Sequence, residues 1–537
     1  MNSDTLYNSI AKYRDSDVVA LYFREGKITF RKLLSRIDEM ADRLYGLGVR
    51  KESVVSLLSP NVPEAIVVLY ALSKIGAKMS LLHPLLPKEV LRESLEETKT
   101  DFFIVLDVLY PTYRDIEGLS SKTYFISACP DLNPVVKLGF KFLYRKDLRH
   151  VDPARYLFAI PALERLPETN RDADKGTILL RSGGTTGKSK TVLCSEHGVN
   201  FVTDQSEKIL CHPCRGHAMI GVLPMFHGFG LAMGIHAPLA NEAASALMIG
   251  YSGKEIVRKI RQNRLNVLLA IPYMTDKLLN TPGFSGRKLK NLLSTFIGAD
   301  KPEKRLFAQF DARMERYGSV NRLLEGYGLT ETITVNFVNT LKDRRIGSVG
   351  KPLDGVLLRI ADEKDLDKDL GCDKTGIIMI SSPSVCLGYL NTPEEKQPFH
   401  YDADGTKWLV TGDVGYRDKD GFLFFQNRAS DVHKIAGHNV FPSEIEAVAE
   451  SHPDILSCAS VFIEDGKHPY MVLYCIPKAK KDGLEKSLRS YLKDRLIRYA
   501  VPERIVFADA LPRTDIGKID RRKLKALWLE GKAGSRH

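Results

Sequence analysis

Apolar residues between positions 30 and 44 recur every third or fourth residue, and Gly46 and Gly48 close the run, so the spacing predicts a helix over 30–44. Residues 53–58 form a short continuous apolar run and read as a buried strand. Asn61 and Pro63 mark the start of a helix over 63–75, and residues 77–82 read as the next strand. Alternation of this kind through residues 1–128 predicts an α/β domain layered about a largely parallel sheet. The pattern breaks over 130–172, where residues 135–146 mix Val, Leu and Phe with Lys and Arg. One reading is a segment on a membrane surface that draws acyl substrates from lipid. The preferred reading is a solvated helix on the domain's rim.

A β-branched, apolar run from Thr177 to Leu180 leads into a loop of glycine, threonine, serine and lysine. Glycines let the backbone turn its N–H groups inward, and the hydroxyls, Lys188 and Lys190 add donors, which suits a polyphosphate. Gly187, Lys188 and Ser189 match the end of a Walker A loop. Ser182, however, stands where the first glycine belongs. A Walker loop also opens a helix, whereas Thr191-Val192-Leu193 is β-branched and apolar. The expected arrangement is strand, phosphate loop, strand; the bland alternative is an ordinary Gly/Ser turn.

At 537 residues the chain is long for one core and predicts more than one domain. No stretch reaches the ~18 apolar residues of a membrane span, and the first residues lack the basic and apolar regions of a signal peptide, so a cytoplasmic location is expected. The eight cysteines are scattered as reduced thiols would be, and Cys211-His-Pro-Cys214 has no second ligand pair at zinc-finger spacing. A net charge of +12 favours anionic partners such as nucleotides, coenzyme A or anionic lipid. The basic residues are dispersed without a nucleic-acid motif, so no nucleic-acid partner is expected.

The loop Ser182, Gly183, Gly184, Thr185, Thr186, Gly187, Lys188, Ser189, Lys190 resembles the phosphate loop of the adenylate-forming enzymes: acyl-CoA synthetases, peptide-synthetase adenylation domains and luciferases. Their pattern is roughly S/T-S-G-T-T-G-x-P-K-G-V. Gly183 replaces its second serine, Ser189 its proline and Thr191 its last glycine. Further stretches resemble that family's motifs in order: Ser195 to Asn200; Leu223 to Gly230, with His227; Phe296-Ile-Gly298-Ala299-Asp300; Glu325-Gly326-Tyr327-Gly328-Leu-Thr330-Glu331-Thr332; Gly347 to Pro352; Ser384 to Tyr389; and Thr411-Gly-Asp413. Arg428 to Lys434, Ile435 to Glu446, and Leu511 to Arg521, with Lys518, complete the series. Departures include Ile377 in the T-G-E-I segment, Ser430 at the hinge and His433 for isoleucine.

The resemblance implies a large layered N-terminal α/β domain, 1–427, and a small mobile α+β C-terminal domain, 428–537, hinged near 428–431 at Ser430. It implies that a carboxylic acid attacks Mg2+·ATP to give an acyl-adenylate and pyrophosphate, and that the thiol of coenzyme A then displaces AMP. A carrier-protein pantetheine is the alternative acceptor. A nucleotide-binding regulatory protein with dead chemistry is the alternative of a different class, disfavoured by Glu331, Asp413, Arg428 and Lys518. In this scheme Lys190 and the loop amides hold pyrophosphate, Glu331 the metal, and Thr330 and Lys518 the reacting centre. Gly298, Ala299 and Asp300 line the adenine site, Tyr327 offers a ring face to the purine, and Asp413 takes the ribose diol, with Arg428 beside the nucleoside. His227 gates the acid pocket, and Gly437 lets a pantetheine arm pass close to the backbone. Gly228, Gly230, Gly298 and Gly326 are expected to leave space for a fatty or other bulky acid.

Overall fold

The computed structural model describes residues 4–534 apart from 129–133, 168–170, 183–189, 301, 429–432, 436–437, 441, 465–468, 480 and 515–518. Two compact units result: Met1–Leu358 with Ile380–Leu409, and Arg359–Met379 with Val410–His537.

The first unit holds two large sheets. In one, strands Lys78–Leu82, Val54–Leu58, Phe102–Leu106 and Thr123–Ile126 run parallel, and Gly176–Arg181 joins them beside Lys78–Leu82. The other has nine strands, of which Ala244–Leu247, Ala218–Gly221, Val267–Ala270, Ser294–Ile297 and Leu323–Gly328 form a parallel centre. The expected alternation is present. Helix Phe30–Gly46 starts at Thr29, whose hydroxyl accepts the Lys32 N–H, and buries Phe30, Leu33, Leu34, Ile37, Met40, Ala41 and Leu44 at helical spacing. Helix Pro63–Ile75 begins on a proline, ends at Gly76 with φ +80°, and is buried on nearly every side. Its lack of polar spacing is that of a helix enclosed within the layers.

A buried polar network ties the start of the chain into this unit. Glu196 accepts the Leu6 N–H at 2.6 Å, the Ser73 hydroxyl at 2.5 Å and the Thr177 hydroxyl at 3.0 Å. Asn200, one turn on, accepts the Ser9 hydroxyl at 3.0 Å and faces His236 Nε2 at 2.7 Å, while Tyr70 Oη meets His236 Nδ1 at 2.8 Å. Helix Leu6–Ala11 is thereby held with Leu6, Tyr7 and Ile10 in the main core.

The second unit is α+β. Strands Ile455–Glu464 and Pro469–Pro477 pair antiparallel, and Arg504–Phe507 joins in parallel. Side chains alternate between two cores: Met471, Leu473 and Cys475 lie in one with helices Pro442–Glu450 and Leu484–Lys493, whereas Tyr470, Val472 and Tyr474 lie in the other with Leu511 and Leu524. Period-two alternation with both faces apolar makes this a sheet covered on each side. Within the same unit, Asp413 to Arg417 pairs antiparallel with strand Leu423–Arg428, forming a hairpin.

Candidate active site

Strand Gly176–Arg181 pairs antiparallel with Thr191–Ser195, Arg181 opposite Thr191. The Ser182 N–H donates to the Lys190 carbonyl at 2.9 Å, and the Lys190 N–H donates to the Ser182 hydroxyl at 3.1 Å. Strand, loop and strand therefore form a hairpin, and the helix of a Walker loop is absent at Thr191–Ser195. Ser182 is legible in this light: its hydroxyl closes the loop's base, which a glycine could not do. Thr191, where the resembling family has glycine, donates to Glu97 at 2.9 Å, and Glu97 also pairs with Arg181 at 3.4 Å. One carboxylate thus clamps both strands. Gly183, Gly184, Thr185, Thr186, Gly187 and Lys188 lie outside the described residues.

Strand Leu323–Gly328 carries Tyr327 to its end, opposite Phe337, with ring centroids 6.0 Å apart. A Cβ on Gly328 would lie 1.8 Å from the Thr334 carbonyl oxygen, so the neighbouring strand approaches as only glycine permits. The half-exposed Tyr327 follows a strand end, and Gly298, Ala299 and Asp300 follow the end of the adjacent strand Ser294–Ile297. A Cβ on Gly298 would meet the Gly326 carbonyl oxygen at 3.3 Å. Ala299 has φ +69°, an uncommon conformation for a residue with a side chain.

The turn Thr330–Thr332 is pinned from below. Thr332 is buried, its hydroxyl accepting the Leu329 N–H at 2.9 Å and donating to the Thr334 carbonyl at 2.9 Å. Ile333 then adopts φ +62° with ψ −54°, a tight turn outside the usual regions for a β-branched side chain, closed by the Thr334 N–H donating to the Thr332 carbonyl at 2.6 Å. Thr330 and Glu331 stay half-exposed above this anchor. The Glu331 carbonyl accepts the Cys386 N–H at 2.7 Å, and its carboxylate Oε1 accepts the Tyr389 hydroxyl at 2.8 Å. Lys190 Nζ lies over the same Tyr389 ring, 4.2 Å from its centroid. Tyr389 is held in turn: its backbone pairs with Val192, and its N–H donates to Gln397 at 2.7 Å. Thus Lys190, from the hairpin, and Glu331, from a turn 141 positions later in the chain, are brought to opposite parts of one phenol. Burial pushes the Cys386 thiol up to about 12, with the Glu331 charge adding to the effect, so it stays protonated beneath the turn.

His227 precedes an eight-residue π-helix, Phe229–His236, a rare form that recurs at functional sites. Its carbonyl accepts the Leu231 N–H at 2.9 Å, and its ring lies 4.8 Å from Phe226. The expectation that Gly228 and Gly230 leave room for an acid is corrected. A Cβ on Gly228 would fall 1.5 Å from the Ile333 carbonyl oxygen, and one on Gly230 2.1 Å from that of Pro224. Backbone, not a cavity, occupies the space. The same contact places His227 next to the segment that carries Glu331.

In the second unit, Asp413 and Arg428 face each other across their strand pair, Arg428 Nε 3.3 Å from Asp413 Oδ1. Thr411 orients the approach: its hydroxyl accepts the Asp413 N–H at 3.0 Å and donates to the Ile378 carbonyl at 2.7 Å. The Asp413 carboxylate is almost fully buried. Ser430, Gly437 and Lys518 lie outside the described residues; Arg513 and Ile519, which flank Lys518, form an antiparallel bridge. Tyr389 is the residue that sequence reasoning placed in a motif without giving it a role.

The sequence model of the AMP-binding enzyme matches residues 8–390, and that of the AMP-binding enzyme C-terminal domain matches 444–518. The long-chain-fatty-acid–CoA ligase of Bacillus subtilis (strain 168) is 26% identical over 534 residues, covering 97% of this chain and 93% of its own. Peroxisomal OPC-8:0-CoA ligase 1 of Arabidopsis thaliana is 27% identical, with 93% and 88% covered. Among solved structures, ATP-bound MatB from Rhodopseudomonas palustris has a TM-score of 0.83 at 21% identity, covering 98% of this chain and 99% of that one. The o-succinylbenzoate coenzyme A synthetase MenE of Bacillus subtilis, with ATP and magnesium ion, gives 0.78 at 23%, with 97% and 99% covered. At these identities the structural likeness is one of fold. The first family match takes in well over half of the chain, which therefore belongs to the AMP-binding enzyme family.

Proposed function

We propose that the chain is an AMP-forming acid–thiol ligase. A carboxylate oxygen attacks the α-phosphorus of ATP, pyrophosphate leaves, and the acyl-adenylate forms. A thiol then attacks the acyl carbon, expelling AMP and leaving a thioester. Adenylation replaces oxide, a poor leaving group, with a good one, so the protein's task is alignment and charge neutralisation at the phosphoryl group. The observation that carries this reading is the single tyrosine joining the Glu331 carboxylate to Lys190 at the mouth of the hairpin.

Glu331 fits Mg2+, because its half-exposed carboxylate offers a hard oxygen and Mg2+ bound to a nucleotide takes its other ligands from phosphate and water. When bound, the ion would neutralise phosphate charge. Lys190 and the loop amides would hold pyrophosphate, Thr330 the α-phosphate, Tyr327 the purine, and Asp413, with Arg428, the ribose. Lys518 serves adenylation and Gly437 the thiol step. The relatives described above are CoA ligases, which favours coenzyme A over a carrier-protein pantetheine and places fatty acids first among candidate substrates.

The test is pyrophosphate release by the full chain across a panel of carboxylic acids of graded length, followed by coenzyme A. Acid-dependent pyrophosphate with stoichiometric thioester and AMP is expected. Orthophosphate release without acid, or no pyrophosphate with any acid, overturns the reading.

A further inference from the structure

Helix Pro134–Leu143 presents large apolar side chains to solvent: Val135, Leu138 and Phe142 are 81%, 72% and 80% exposed. Their spacing, i, i+3 and i+7, puts them on one face. The helix is not loosely attached, because Phe140 packs on the main core and lies 4.6 Å, centroid to centroid, from Tyr144. Directly after it, Arg145–Leu148 forms a short helix, and Arg145, Lys146 and Arg149 are exposed. Between residues 134 and 150 there are five Lys or Arg against the single Asp147.

We propose that this segment docks the chain on an anionic lipid surface, Val135, Leu138 and Phe142 entering the interface while Arg145, Lys146 and Arg149 meet headgroup phosphates and carboxylates. The helix packs on the rim through Phe140, as the preferred sequence reading has it, but its outward face carries Val135, Leu138 and Phe142 where a solvated face would be polar. A ten-residue helix is about 15 Å long, too short to span a bilayer and suited to lying in its plane. Charge decides between occupants. A second copy of the chain would bring a like cluster against this one, and a nucleic-acid backbone offers no partner for three apolar side chains. Anionic lipid satisfies both halves of the surface. The inference does not depend on which reaction the enzyme catalyses.

The test uses the full chain sedimented with vesicles of phosphatidylcholine alone or of phosphatidylcholine and phosphatidylserine in equal parts, at low and high salt. About tenfold more binding to the mixed vesicles is expected, fading with salt as exposed charges are screened. Val135→Ser/Leu138→Ser/Phe142→Ser should weaken that binding about tenfold, and Lys146→Glu/Arg149→Glu should weaken it similarly and flatten its salt dependence. All five sites are exposed, so both variants should keep the wild-type unfolding midpoint. Equal binding to both vesicle types, or wild-type binding by either variant, overturns the proposal. So does a dimer in light scattering that the triple substitution abolishes, which would assign the surface to a second copy.

Discussion

Tyr389 makes two contacts that substitution can separate: its hydroxyl reaches Glu331 and its ring lies under Lys190. Tyr389→Phe keeps the ring and loses a hydrogen bond to a charged group, worth about 1.5 kcal/mol, or roughly tenfold. The magnesium concentration for half-maximal pyrophosphate release should rise by about that factor, and Tyr389→Leu should raise it further by removing the cation–π contact. Equal effects from the two variants would mean that the ring contributes nothing. Glu331→Gln should abolish magnesium-dependent adenylation with the unfolding midpoint unchanged, because an amide oxygen is a weaker ligand for a hard cation. Wild-type rates at limiting magnesium would remove Glu331 from the site. Gly228→Ala differs in kind. Its methyl would overlap the Ile333 carbonyl, so a loss of about 3 kcal/mol in unfolding free energy is expected, in the upper range for overpacking.

Among the elements, the π-helix ends at His236, whose pKa burial brings down to about 3, Lys12 adding a smaller push. The ring is therefore neutral in the fold and charges only on unfolding below the ordinary histidine value of ~6.5. Between that value and the folded pKa the unfolded chain binds the extra proton, so stability falls as pH drops, by up to about 1.4 kcal/mol per unit. His236→Gln should be less stable than wild type at pH ~7.5 and should lose less on acidification to ~5. Thermal melts of both proteins check the difference in slope. Sequence reading reached some elements and not others for local reasons. Helix Pro63–Ile75 was legible to the residue because Pro63 and Gly76 constrain the backbone where they stand. The hairpin was legible because β-branched residues follow the loop. The π-helix leaves no such mark, its i→i+5 bonding having no distinct apolar period. Gly228 misled because a glycine that admits a ligand and one that admits another backbone are spelled alike. Tyr389 was passed over because its partner Glu331 lies 58 residues away.

At the scale of the whole molecule, the two half-reactions are proposed to call on different residues of the second unit. Losing one preorganised charge-stabilising donor costs roughly 10²–10³ in rate. Lys518→Ala should slow acyl-adenylate formation that much and leave thioester formation from supplied acyl-adenylate within about tenfold. Gly437→Leu should do the reverse. Single-turnover assays of both steps decide it, and equal slowing of the two by Lys518→Ala would overturn the division of labour. That the chain makes two units was legible from its length; the placement of Arg359–Met379 with the later residues was not, because sheet partners distant in sequence decide it. The network around Glu196 also acts at this scale, and it sets an order in time. Leu6 donates to a carboxylate 190 residues later, whereas Tyr7 next to it finds Asp38 and Ser73 much earlier in the chain. Ribosomes add about 5–20 residues per second. During synthesis, then, the Leu6 N–H waits on the order of ten to forty seconds for Glu196, so a helix that can begin to pack early against 63–75 has its buried polar anchor completed late.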